Sequence, residues 1–89
     1  MISPINRHFR GLFSKLPNAV QRQAREAYRQ FKQNPYHPSL HFKQVHTIRP
    51  IYAARINVDY RAVGIKENGE IIWVWIGSHA DYEKLLSQL

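Results

Sequence analysis

Two prolines within six residues, in the segment Asn34-Pro35-Tyr36-His37-Pro38-Ser39, constrain this chain more than any other feature. Each proline removes a backbone donor and biases the residue before it away from helical angles, so no helix passes through. The texture differs on the two sides. Upstream, apolar residues recur at helical spacing; downstream, short runs rich in β-branched and aromatic residues take over. A helical half followed by a strand half predicts an α+β domain.

In the helical half, Ile5, Phe9, Leu12, Phe13 and Leu16 fall on one stripe, with Ser3 placed as N-cap and Pro4 as first helical residue, and the helix ending near Lys15. Pro17 restarts the pattern. Val20, Ala24, Ala27, Tyr28 and Phe31 repeat the spacing to about Gln33, while Arg22, Arg25, Arg29 and Lys32 point away. So short a connection predicts an antiparallel hairpin whose two apolar stripes share one surface.

In the second half, strands are expected at 40–45, 51–57, 60–66 and 71–76, with turns at 47–50, at Val58-Asp59 and at Glu67-Asn68-Gly69-Glu70. The run 71–76 is apolar on both faces, which predicts the middle of the sheet. Trp73 and Trp75 lie inside that run, so packing is their expected use. From Gly77 the pattern turns helical again, with Ser78 as N-cap and Tyr82, Leu85 and Leu86 as apolar positions. The expected fold is α+β: an antiparallel helical hairpin on a small antiparallel sheet of about four strands, closed by a short C-terminal helix. At 89 residues the chain is read as one domain over 1–89.

Composition narrows the function. Without cysteine there is no disulfide framework and no thiolate metal site, and a reducing cytoplasm fits. No apolar signal core opens the chain and no run of about 20 apolar residues occurs, so a soluble cytoplasmic protein, off the membrane, is expected. Thirteen Lys and Arg against six Asp and Glu leave a net charge of +7. That excess suits a polyanionic partner, either nucleic acid or an acidic protein, and equally suits a solubilising surface. Glu26, Asp59, Glu67, Glu70, Asp81 and Glu83 are too scattered to collect around Mg²⁺. His37, His41 and His46 lack the Cys or carboxylate that would complete a zinc set, so neither metal nor other cofactor is expected.

The order of elements, together with several local runs, resembles the RelE/ParE superfamily of toxins from bacterial toxin-antitoxin systems. The runs are Leu16-Pro17 at the helix junction, Asn34-Pro35 with His37-Pro38-Ser39-Leu40, Tyr52-Ala53-Ala54-Arg55-Ile56, Asp59-Tyr60-Arg61-Ala62-Val63, and Trp75-Ile76-Gly77-Ser78-His79-Ala80-Asp81-Tyr82. The stretch 55–61 looks most like the strand pair of RelE-type and YoeB-type ribosome-dependent mRNA endonucleases, whose arginines there hold the scissile phosphate. Two departures stand out. Most members open with a β-strand, whereas only Met1 and Ile2 precede the expected helix cap here. The glutamate that serves YoeB-like enzymes as general base has no counterpart either, because 37–44 contain no acidic residue. The resemblance implies a toxin that cuts mRNA on the ribosome, halts translation and is neutralised by a cognate antitoxin. ParE-like members instead inhibit DNA gyrase through protein contacts. A non-catalytic nucleic-acid or protein-binding module with the same fold is the third reading.

Cutting RNA without metal requires a base for the 2′-hydroxyl proton, an acid for the leaving 5′-oxygen and a cation for the charge that builds on phosphate. Alternation along 51–57 puts Tyr52, Ala54, Ile56 and Val58 on the core face and projects Arg55 from the open one. Arg61 begins the next strand, where it serves either phosphate or a salt bridge with Asp59. His79 follows the last strand, as the general acid the resemblance implies or as a first-turn residue bonding locally. Arg61, His79 and Arg55 are therefore the catalytic candidates. Lys43, His41, His46 and Tyr82 are the substrate-binding candidates, with the histidines also able to supply the missing base. Each has an ordinary structural alternative: surface exposure for the first three, packing of the last helix for Tyr82.

Overall fold

The computed structural model describes residues 3–89. Its elements are α1 (Arg7–Ser14), α2 (Asn18–Gln33), a 3-10 turn at Pro38–Leu40, β1 (Lys43–Gln44), β2 (Ile51–Arg55), β3 (Tyr60–Glu67), β4 (Glu70–Ser78) and α3 (His79–Ser87). The strands make one antiparallel sheet in the order β1-β2-β3-β4. Ala24 and Phe31 of α2 pack on Ala54, Ala62, Ile71, Trp73 and Ile76 of the sheet, with Phe9 and Phe13 of α1 against the same cluster. On the other face, Tyr82 of α3 packs with Ile51, Ala53 and Val63. This is the α+β arrangement expected, and no helix among the described residues is long and apolar enough to cross a membrane.

The start of the chain departs from expectation. Ser3 and Pro4 do not begin a helix; Asn6 is the N-cap of α1, its side chain accepting the Phe9 N–H at 2.9 Å. Ahead of it the chain runs extended beside β4, where the Trp73 N–H donates to the Pro4 carbonyl at 2.9 Å and the Asn6 N–H donates to the Trp73 carbonyl at 3.0 Å. Ile5 thus bridges Trp73 in parallel, a one-residue counterpart of the opening strand. Ser3 is buried; its hydroxyl donates to the Ile71 carbonyl at 3.1 Å and accepts from the Trp73 indole. Met1 and Ile2, on which the expectation about a lost first strand turned, lie outside the described residues.

These contacts explain why β4 is apolar on both faces without being central. It closes the strand order rather than sitting in its middle, yet residues 4–6 cover its outer edge while helices lie against both faces. A bulge sits opposite Val63 and Gly64, which pair with Trp75 and Trp73, so Val74 is the extra residue. The bulge flips the alternation. Trp73 and Ile76 both face α1 and α2, and Trp75 turns to the α3 side. Gly64 is needed there, because a Cβ would lie 2.6 Å from Cγ2 of Ile71.

The first strand is also shorter than its pattern predicts. Pro38–Leu40 forms a 3-10 turn in which the Ser39 N–H donates to Nδ1 of His37 at 3.2 Å and the Leu40 N–H to the His37 carbonyl at 3.0 Å. Those bonds occupy the backbone groups a strand would have used. Likewise β2 stops at Arg55, because Oδ1 of Asn57 accepts the N–H groups of Asp59 (2.8 Å) and Tyr60 (3.0 Å) and folds a turn. Val58, expected on the core face, sits exposed in that turn.

Candidate active site

β2 and β3 present their α3-side face between α3 and the segment entering β1. Ala53 and Val63 are covered there by Tyr82, but Arg55 and Arg61 lie beyond the helix and line an open cleft of about 260 Å³. Six of the seven residues singled out from the sequence line it: His41, Lys43, Arg55, Arg61, His79 and Tyr82. Glu83 joins them, and it is the one carboxylate among the lining residues.

The two arginines are held differently. Arg55 and Arg61 are register partners on β2 and β3, so their side chains leave the sheet side by side. Nη1 of Arg61 donates to the carbonyls of Asn57 (2.6 Å) and Tyr60 (2.9 Å). Carbonyls of the turn, rather than the Asp59 carboxylate, anchor it, and the rest of its guanidinium fork donates to no acceptor among the described residues. The Arg55 side chain has neither ion pair nor hydrogen bond among them. Two half-buried cations with spare donors and a single carboxylate nearby make a site for an anion.

Ser78 brings His79 to this cleft. The Ser78 hydroxyl accepts the Asp81 N–H at 3.2 Å and starts α3, while the His79 backbone N–H donates to the Asp59 carbonyl at 2.7 Å. The backbone that carries the ring is therefore placed by bonds that do not involve the ring. Its Nε2 lies 3.4 Å from Oε1 of Glu83, one turn further along the helix, and its ring centroid is 5.9 Å from that of Tyr82. Burial pushes the Tyr82 phenol above its ordinary range, Glu83 adds to the rise and Arg61 opposes it. Tyr82 is thus both packed and charge-coupled to the cleft. Glu83 was not among the residues nominated from sequence; its only signal is the four-residue spacing from His79 on one helical face.

His41 arrives by a different route from the one alternation suggested. It is not in a strand; its backbone is left-handed, with φ 45°, just after the 3-10 turn. That kink sends Phe42 into the core beside Phe31 and leaves His41 exposed in the cleft next to Lys43. A left-handed residue other than glycine costs about 1–3 kcal/mol, and such strain gathers at functional sites. His46 is not brought in. Its Nδ1 accepts the N–H groups of Ile48 (3.1 Å) and Arg49 (2.9 Å), which makes it the organiser of the β1–β2 turn. His37 is likewise committed to its own turn. Among the described residues, no three His, Cys, Asp or Glu side chains cluster to hold a metal ion.

Residues 18–84, from the start of α2 into α3, match the family model of the ParE-like toxin domain. The chain belongs to the ParE-like toxin family. Solved structures similar to this ParE-like domain agree in fold. They include the RelB–RelE antitoxin–toxin complex from Methanococcus jannaschii, with a TM-score of 0.74 and 11% identity over 92% of this chain and 96% of that one. YafQ from Escherichia coli matches with a TM-score of 0.72 and 8% identity over 91% and 96% of the two chains. A YoeB/ParE toxin from Agrobacterium tumefaciens matches with a TM-score of 0.69 and 12% identity over 89% and 99%. Among curated proteins, none matches the ParE-like chain significantly.

Proposed function

We propose that this ParE-like toxin is a metal-independent endoribonuclease that cuts mRNA on the ribosome, in the cytoplasm, and is held inactive by a cognate antitoxin. The observation that carries the reading is the convergence of Arg55, Arg61, His41 and His79 on one open cleft. In this scheme a ring nitrogen of His41 takes the 2′-hydroxyl proton, and the 2′-oxygen attacks phosphorus. His79 then protonates the leaving 5′-oxygen as the P–O5′ bond breaks, giving a 2′,3′-cyclic phosphate and a 5′-hydroxyl. Arg55 and the free side of Arg61 take the charge that builds on the phosphate oxygens. Lys43 holds a neighbouring phosphate, Tyr82 flanks a base, and Glu83 orients the His79 ring. His41 thereby fills the place of the absent glutamate.

The net charge of +7 supports both an RNA target and an acidic antitoxin, and the M. jannaschii relative is itself an antitoxin–toxin complex. A second reading, inhibition of DNA gyrase, is favoured by the ParE-like family match, and such an inhibitor needs no acid, base or phosphate clamp. Primer extension on translated mRNA after brief induction separates the two. Breaks at fixed positions within codons support the nuclease; intact message accompanied by gyrase-linked DNA damage overturns it.

A further inference from the structure

A second cleft opens on the opposite face of the sheet, beyond the end of α2, and of its lining only Lys43 enters the nuclease scheme. Its floor is aromatic: the rings of Phe42 and Tyr52 stack at 5.1 Å and 18°. Tyr36 stands at its rim, 76% exposed, with its ring edge-on to Phe42 at 6.2 Å. This tyrosine is presented stiffly. Pro35 precedes it, the capped turn at His37 follows it, and its own N–H donates to Oδ1 of Asn34 at 3.1 Å. Lys66 reaches over the Tyr52 ring with Nζ 6.0 Å from its centroid, and Lys43 lines this cleft as well as the His79 cleft. Neither lysine has a carboxylate partner among the described residues. β1 is the sheet's edge and only two residues long, so Lys43 stands where the two clefts meet.

An exposed aromatic ring with free cations beside it matches the requirements of unpaired nucleic acid, which stacks its bases and neutralises its phosphates. A peptide would have to leave both lysines without anions or bring several carboxylates to one small cleft. We propose that this second cleft holds an unpaired nucleotide of the same RNA strand, stacked on Tyr36 with its phosphates on Lys66 and Lys43, so that the message wraps the β1 edge into the His79 cleft. The assignment rests on the nuclease reading and extends its substrate contact to a nucleotide away from the scissile bond.

The test is fluorescence anisotropy of a labelled single-stranded oligoribonucleotide, about one to two dozen nucleotides long, in the His79→Gln background so that the probe survives. Tyr36→Ala should weaken binding about 5-fold or more, and Tyr36→Phe should restore it, because stacking needs the ring and not the hydroxyl. Lys66→Gln should flatten the dependence of log affinity on log salt by about 0.7, the contribution of one phosphate contact on a single strand. If Tyr36→Ala and Tyr36→Phe bind alike while Arg55→Ala weakens binding, the second cleft is not an RNA site and the nuclease cleft survives. If the parent protein does not bind the probe, the second-cleft assignment falls, while the nuclease reading is decided separately by primer extension on translated mRNA.

Discussion

Arg55 and Arg61 face each other directly across the antiparallel β2–β3 pair, two cations at one rung of the ladder. Like charges so placed are destabilising, and Arg61 is steadied by turn carbonyls while Arg55 is not. Arg55→Ala should therefore leave the melting temperature unchanged or slightly higher and still lower cleavage about 10²–10³-fold, the usual loss for one charge-stabilising donor. Arg61→Ala should lower both, because it also strips the turn of its anchor, at about 1–2 kcal/mol. Urea melts alongside cleavage rates decide this. A strongly destabilised Arg55→Ala would show that the pair serves the fold.

His79→Gln should slow single-turnover cleavage about 10²–10⁴-fold, the range for removal of a general acid. The fold should not notice, since Ser78 caps α3 and the His79 backbone N–H, not its ring, binds the Asp59 carbonyl. Equal rates for parent and variant on ribosome-bound message would strip the histidine of that role.

His41 sits in the left-handed region at φ 45°, where glycine is at ease. Replacing it with glycine relieves about 1–3 kcal/mol of strain, partly offset by about 0.4–1 kcal/mol of extra chain entropy in the unfolded state. His41→Gly should thus melt at or above the parent's temperature while cleavage collapses. Retention of full cleavage by that variant would remove His41 from the mechanism.

The Tyr82 phenol, its proton held more tightly in the folded state by burial, by Glu83 and against Arg61, gives stability a defined pH dependence. Its folded value lies above the unfolded value of about 10, so this contribution is complete below pH 10 and is lost as pH rises towards the folded value. Tyr82→Phe should flatten the alkaline decline in melting temperature. Identical declines in parent and variant would assign it to the other tyrosines.

Ser3→Ala leaves the indole N–H of buried Trp73 without its acceptor. An unsatisfied buried donor costs about 1–3 kcal/mol, so the urea midpoint should fall with little change in slope. An unaltered midpoint would mean that residues 3–6 contribute nothing to the edge of β4.

Much of this protein follows from chemistry local to the chain. The double-proline break, the apolar stripe of α2, the Asn68-Gly69 turn and the Ser78 cap depend on neighbours within one turn of chain, and they lie where periodicity and turn propensity place them. Alternation also sorts Arg55 from Tyr52 and Ala54, because a strand's faces follow from parity alone. Parity fails wherever a distant partner interrupts it. The bulge opposite Val63 and Gly64 turns Trp75 away from Trp73's side of the sheet, and β4 finds its outer neighbour in residues 4–6. The same holds for the cleft. Residue type nominates His41, His46 and His79 equally; His46 is held in its turn by N–H groups two and three residues on, and only the packed chain brings His41 and His79 to one cleft with the arginines. Propensity and periodicity record what a residue prefers beside its chain neighbours; which groups meet across the sheet is decided by closure of the whole fold.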